Sequence, residues 1–458
     1  MPPRHSNKEE KPFLKKIAPY LLIFGVLVAS FIFSRVIPNA GAAFRTFPEG
    51  LYLTVALIFA IGFGTRKFSK KVFIPSFVLA ILMGIALQPL FSSLTENFST
   101  LSIINEFLAA LILFGSGVEM PWHSFKKYFG PVASLALFGM LVSVLVFALI
   151  LEALTNIAGI DIPASSFLLM AAILAAVEPS AIIPMFKKLR FADRKIKDVA
   201  IAEGAVNDVT GTVITRFFLV GALAVSGEGK TVLDTFIPLL RREHFDMFAL
   251  EIIWGVVVGI IGAKILSMWY NAETTERDNP ALFFAVPIFS YALGSIIGGS
   301  GYLAAFVAGL LYQTSTSTRN VAHFFETFNS HLVVPVIFVL LGAVIPIPAL
   351  VQTAAIGIIA SLLFMFVVRP LVVFSSLVPW MFGQNRQFTF SEYLFLSTIR
   401  ETGGVSAVLL LIIASQGVAG IDYIFGIGFW VIFMTLIVEP PLTPWLTQKL
   451  KLAEPIEE

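Results

Sequence analysis

The chain has 458 residues, 57% of them hydrophobic and 13% charged, with a net charge of +2. A soluble domain carries nearer a quarter charged residues, so an ordinary soluble fold is excluded and a membrane protein is indicated. With no cysteine, disulfides, thiolate metal sites and cysteine nucleophiles are excluded, and the five histidines, His5, His123, His244, His323 and His331, have no ligand spacing.

Fourteen apolar stretches suit a hydrocarbon core of about 30 Å. They lie near 17–37, 50–65, 72–91, 101–118, 130–158, 163–186, 198–225, 246–269, 280–297, 301–313, 331–349, 353–379, 389–414 and 420–438, the second and tenth being short. The first follows a basic stretch, but its apolar run exceeds the roughly 7 to 15 residues of a signal peptide, so it is read as a retained span. With the N-terminus inside, 22 Lys and Arg fall in cytoplasmic segments, 4 in outer ones, and 5 in or at the ends of spans. This bias predicts an even number of spans and two cytoplasmic termini. Trp122, Trp269, Trp380 and Trp445 lie at span ends, as an aromatic belt requires.

The spans group as a cytoplasmic N-terminus with a leading helix (1–49), six spans (50–225), a linker with one span (226–279), six more spans (280–447) and a short cytoplasmic tail (448–458). The first six begin outside and the second six inside, which is the arrangement of an inverted repeat. Equivalent spans in the two halves are both interrupted. The fifth of the first six carries Glu178-Pro179 and Pro184; the fifth of the second six carries Arg400, Glu401, Thr402, Gly403 and Gly404. Paired breaks point to a transporter site, because unwound backbone exposes carbonyls and half-helix ends near the midplane. Gly255 and Gly259 form a GxxxG on the linker span, read as helix packing, and the basic run 187–197 reads as a topogenic loop.

Acidic residues inside spans cost about 3 kcal/mol or more and mark ion or proton paths. Glu178 lies in the sixth span, and IAEGAVNDVTGTV (201–213) places Glu203, Asn207 and Asp208 in the seventh. Glu203 and Asn207 share a helix face while Asp208 is turned by about 100°. One face can support while the other binds. A carboxylate in a low-dielectric pocket holds either a proton or a cation, so competition for it is exchange. Glu178 and Asp208 offer hard oxygen ligands for a small monovalent cation, completed by Asn207 or by carbonyls freed at the Pro179 break, that of Val177 included. Glu203 is expected to pair with Arg369.

Four motifs in order now carry a resemblance. LAAVEPSAIIPMFKKL resembles the TDPVAV stretch of sodium/proton antiporters of the NhaP type and of NHE exchangers; EGAVND resembles their ESxxND, LILFGSGVEM their LLFEGGLEL, and VVRPL the span with their arginine. The resemblance, from about 50 to 440, implies an all-α polytopic membrane protein of 13 to 14 transmembrane helices with crossed broken helices in two inverted six-helix repeats. It also implies a homodimer in the plasma (inner) membrane whose core moves like an elevator. Asp208 is then the principal cation and proton carboxylate, Glu178 stands where the acid of TDP stands, Asn207 orients the site, and Glu203 pairs with Arg369. Asn before the Asp implies electroneutral exchange of one cation for one proton. No resident cofactor and no nucleic acid are expected; the ligands are Na⁺, Li⁺ or K⁺, with H⁺, and the surroundings membrane lipid.

This chain departs from the pattern. Val177-Glu178-Pro179 replaces TDP, Glu203-Gly204 replaces ES, Gly115 replaces the acid of FEGG with Glu119 nearby, and Thr402 stands where many relatives have arginine. Ser180, Thr210 or water would fill in as ligands. The alternative reading is a cation-coupled solute symporter on the same fold. An intramembrane hydrolase finds no HExxH or GxGD pattern here, and a channel fits paired breaks less well than alternating access does. If Glu203 and Arg369 are structural partners, Glu203→Gln should lower folded yield more than it alters apparent cation affinity. Size-exclusion yield set against a cation titration measures both.

Overall fold

A computed structural model describes residues 13–455 apart from 37–43, 45–48, 70, 73, 96–97, 177–185, 187–188, 225–230, 240–241, 273–279, 316–318, 383–385, 400 and 415. The chain is almost entirely helical. Its principal helices are α1 (Phe13–Val36), α2 (Glu49–Ser69), α3 (Ser76–Ala86), α4 (Phe98–Glu119), α5 (Phe129–Ile157), α6 (Ala164–Leu174), α7 (Arg194–Ala224) and α8 (Arg242–Ala272). They continue as α9 (Pro280–Ile296), α10 (Gly301–Ser315), α11 (His323–Val344), α12 (Ala354–Met381), α13 (Phe390–Ser397), α14 (Gly404–Ile413) and α15 (Ile421–Lys449). Among the described residues, eight helices are long and apolar enough to cross a membrane and five shorter apolar ones accompany them. Helix α7 is in neither group although it has 31 residues, because it carries Arg194, Lys195, Lys197, Asp198, Glu203, Asp208 and Arg216. The protein is an all-α polytopic membrane protein, and its most charged long helix is the one that bears the acidic motif.

Apolar side chains turn outward as well as inward. Leu21, Phe24, Tyr52, Phe63, Leu137, Phe366 and Phe374 are exposed, which suits hydrocarbon rather than water as the surrounding solvent. Close helix contacts are made through glycine. A Cβ on Gly84 of α3 would overlap the carbonyl oxygen of Val339 on α11, and one on Gly342 of α11 would overlap that of Ile81 on α3. The same reciprocal contact joins α10 and α4, where Gly309 meets the Phe114 carbonyl and Gly117 that of Phe306. Gly84 and Gly309 are 225 residues apart, as are Gly117 and Gly342. The starts of α3 and α10, at 76 and 301, and of α5 and α12, at 129 and 354, share that displacement. The α3–α11 and α10–α4 pairs are therefore mates of the inverted repeat. Without a hydrophobic drive between helices in lipid, backbone-to-backbone approach at small residues supplies the packing.

Gly255 and Gly259 also pack within the chain. A Cβ on Gly255 would lie 2.9 Å from the Ser300 carbonyl, and one on Gly259 2.8 Å from that of Ala304, so this stripe of α8 seats α10.

The second broken span is seen directly. Helix α13 ends at Ser397, residues 401–403 are non-helical, and α14 begins at Gly404. In the first repeat, α6 stops at Leu174, ahead of Glu178-Pro179; Val177, Glu178, Pro179, Ser180 and Pro184, like Arg400, lie outside the described residues. The two spans cross, since Ser406 Oγ of α14 donates to the Ile173 carbonyl near the end of α6 at 2.7 Å. One departure from an all-helical reading is a two-stranded antiparallel sheet. Strand β1 (Leu189–Phe191), within the basic run before α7, pairs with β2 (Ala453–Pro455), after α15.

The glycine contacts carry a stability prediction. Gly84→Leu or Gly309→Leu should each cost at least about 1 to 3 kcal/mol by overpacking, read as a fall in melting temperature and folded yield in detergent. Gly64→Ala, whose Cβ meets nothing within 4 Å, should leave both unchanged.

Candidate functional site

Helix α7 passes unbroken beside the crossing, and its middle is the buried acidic segment. Glu203, Asn207 and Asp208 are all buried. Glu203 faces Arg369 of α12 in a bidentate ion pair, with Nη1 to Oε1 at 2.5 Å and Nη2 to Oε2 at 3.0 Å. The third guanidinium direction is used too, because Nε donates to the Leu396 carbonyl in α13 at 3.0 Å. Arg369 is thus fully buried with every edge of its fork occupied. A π-helical turn, Phe364–Val368, immediately precedes it; such a turn re-aims the residues that follow it.

Asn207 lies one turn beyond Glu203 and donates from Nδ2 to Glu203 Oε1 at 3.4 Å, while its Oδ1 is buried without a hydrogen-bond partner. The chain from Leu396 through Arg369 and Glu203 to Asn207 therefore fixes an amide oxygen at a chosen place beside the break. A buried acceptor left unsatisfied costs about 1 to 3 kcal/mol. A ligand would repay it.

Asp208 projects elsewhere. Its Oδ2 accepts from Ser116 Oγ of α4 at 3.0 Å. Gly211, one turn beyond Asn207, admits the end of α6 against α7: a Cβ there would lie 3.0 Å from the Ala176 Cβ. The structure thus brings the residue two before Glu178 within one helical turn of the Asn207-Asp208 pair. Thr210 is not brought to the Asp208 side; it lies two residues on, about 200° round the helix, and its hydroxyl donates to the Val206 carbonyl at 2.8 Å.

In the second broken span Glu401 and Thr402 are buried, Gly403 caps α14 and Gly404 opens it. The Thr402 amide donates to Thr435 Oγ1 of α15 at 3.4 Å, and the Thr402 hydroxyl is buried without a hydrogen-bond partner. Glu439, one turn beyond Thr435, is buried as well.

Two features were beyond reach of the sequence reading. Ser116 reaches Asp208 from a helix 92 residues away, and its only sequence signal was its place in LILFGSGVEM. Glu439 sits in α15 next to Pro440 and Pro441, an acid-proline pairing like Glu178-Pro179 that could have drawn attention to it. Farther along α7, its first turn is clamped to the second repeat by Lys195, whose Nζ lies 2.6 Å from Glu392 and donates to the Gln387 carbonyl at 2.7 Å. Asp198 accepts from Ser124 at 2.6 Å. Toward the other end, Arg216 pairs with Glu251 of α8 at 3.2 Å.

Comparison with known proteins agrees with this geometry. The transmembrane sodium/hydrogen exchanger profile matches residues 53–449. The chain is 26% identical over 378 residues to a probable Na(+)/H(+) antiporter 2 of Methanocaldococcus jannaschii, covering 79% of this chain and 84% of that one. It is 23% identical over 402 residues to the K(+)/H(+) antiporter NhaP2 of Shewanella oneidensis, covering 85% of this chain but 65% of that relative's length. The structure of the sodium proton antiporter MjNhaP1 from Methanocaldococcus jannaschii at pH 8 shares the fold, with a TM-score of 0.72 at 22% identity over 87% of this chain and 98% of that one. With the profile running through both repeats and the buried acidic helix, the chain belongs to the transmembrane sodium/hydrogen exchanger family.

Proposed function

We propose that the protein is a secondary antiporter exchanging a monovalent cation for protons, with Asp208 as the carboxylate for which they compete. The observation that carries this reading is the unequal state of two buried acids five residues apart. Glu203 is neutralised by a bidentate arginine, whereas Asp208 accepts from a neutral serine hydroxyl. A carboxylate locked to arginine has no use for a proton or a cation. One held by a hydroxyl can exchange that bond for either.

The proposed ligands are Asp208, the Asn207 amide oxygen, Glu178, the Val177 carbonyl and Ser180, with water in place of Thr210. Asn207, neutral where a second acid would add charge, supports an electroneutral exchange of one cation for one proton. The cation is Na⁺ or K⁺, as relatives named for each are matched, with Li⁺ as a third candidate.

The mechanism proposed is elevator-type alternating access. Helices α7, α12 and α13 are joined by Arg369 at the site and by Lys195–Glu392 at one end, which supports their moving as one body. The Ser116–Asp208 and Arg216–Glu251 contacts cross to α4 and α8 and would break and reform in each cycle. The same reading has a homodimer in the plasma membrane with both termini cytoplasmic, in keeping with the positive-charge bias.

The test uses purified protein in liposomes with an imposed pH gradient and a pH-reporting dye, to which Na⁺, Li⁺, K⁺ or choline is added. Gradient collapse with at least one alkali cation and not with choline is expected, unchanged by clamping the membrane potential. Asp208→Asn should abolish it, a loss of 100-fold or more in rate. Indifference to all three cations between about pH 5 and 9 would defeat the antiport reading.

A further inference from the structure

Helix α11 contains a π-helical turn at Asn329–Val333, a distortion that frequently marks functional sites. Its first residue, Asn329, is 5% exposed. The amide oxygen has no hydrogen-bond partner, which is unusual for a buried side chain of such strong polarity. The amide is pressed against α4 at Gly115, where a Cβ would overlap Asn329 Nδ2 and lie 3.5 Å from the Phe325 Cβ. The next residue of α4, Ser116, donates to Asp208. Asn329, Gly115, Ser116 and Asp208 thus lead from α11 across α4 to the ion-site helix, while Phe114 and Phe325 pack together alongside with ring centroids 4.9 Å apart.

The absence of a side chain at 115 and the buried amide at 329 explain one another sterically. Any residue larger than glycine at 115 would displace the amide, and any smaller residue at 329 would leave a void against α4. A side chain this polar, buried with its oxygen unanswered, is costly unless something binds it for part of the transport cycle. An amide oxygen is a hard, neutral ligand of the kind alkali cations accept in place of water.

We propose that Asn329 is a cation-positioning residue, whose amide oxygen takes over part of the hydration shell of a partly dehydrated alkali cation on its way to Asp208. It supplies from α11 the polar group that α4 lacks at Gly115. This rests on the antiport reading, with Asp208 as the exchanging carboxylate. Because the oxygen is neutral, it changes how tightly the cation is held without adding a proton site, so it bears on affinity and selectivity and leaves the stoichiometry alone.

The experiment measures the cation concentration giving half-maximal exchange, and the maximal rate, in proteoliposomes. Asn329→Ala should raise the half-saturating concentration about 5- to 30-fold while keeping at least half of the maximal rate, about the loss expected for one ligand. The double variant Asn329→Ala with Gly115→Ser returns an oxygen from the α4 side into the vacated space, and should recover most of that loss. A merely structural role predicts neither the split between affinity and rate nor the rescue. If Asn329→Ala does not yield folded protein by size exclusion, Asn329→Asp replaces it, and a shifted half-saturating concentration or an altered order among Na⁺, Li⁺ and K⁺ supports the proposal. Folded Asn329→Ala, or failing that folded Asn329→Asp, with unchanged affinity and selectivity overturns it. Asp208→Asn, run alongside, separates the two readings. Exchange surviving in that variant removes the Asp208 assignment itself, whereas exchange lost there with Asn329→Ala unchanged removes only the role given to Asn329.

Discussion

A guanidinium buried within a membrane protein must have every donor answered, and Arg369 shows what that demands. Two of its edges close on Glu203 and the third on the Leu396 carbonyl. Removing one partner of such a buried pair typically costs about 3 to 5 kcal/mol, because the other charge is left unanswered. The pair therefore fixes α7, α12 and the inner end of α13 relative to one another. Everything else about the site hangs on that frame. Asn207 is oriented by Glu203, the break between α13 and α14 begins one residue after Leu396 and Ser397 bring it there, and Asp208 is aimed away from the arginine toward α4. Had Arg369 faced Asp208 instead, the charge would be balanced equally well and no carboxylate would remain for exchange.

The second organising constraint is that helices in lipid gain little from hiding apolar surface against one another. The reciprocal glycine contacts of α3 with α11 and of α4 with α10 let backbones touch, and their repetition at a displacement of 225 residues makes the two halves pack alike. This tight scaffold has a direct consequence for the site. Gly117 seats α10, Gly115 seats Asn329, and Ser116 between them is left pointing at Asp208. Three consecutive residues on one helix turn thus serve packing, polar approach and the ion-site carboxylate, since successive residues diverge by about 100°.

Much of this was legible in the sequence. Apolar stretches announced the spans, because a hydrocarbon core admits little else. The order of the motifs announced the family, and the paired interruptions announced two broken spans, of which the second is seen in the structure and the first is seen to end its helix at Leu174. The spacing of Glu203, Asn207 and Asp208 also showed that they divide between two faces, since helical geometry is local. Less legible was α7 as a whole, which begins at Arg194 and carries more charge than a span by composition alone would allow. A helix shielded on all sides by protein tolerates charges that a lipid-facing one does not. Thr210 was misjudged as a ligand candidate for a local reason: a hydroxyl within a helix readily bonds the carbonyl four residues back.

What the sequence by itself determined was the solvent, the number and order of spans, the family and the acids that bear charge. Each follows from one-dimensional quantities, namely composition, run length and residue spacing. Which acid is neutralised and which is left to a hydroxyl, which oxygen of Asn207 lies bare, and that Asn329 fills the place beside Gly115 were decided only by the tertiary structure. Those facts depend on contacts between helices 92 to more than 200 residues apart. Such contacts are set by backbone approach at glycine and by π-turn offsets of a few ångströms, and no pattern along the chain encodes them.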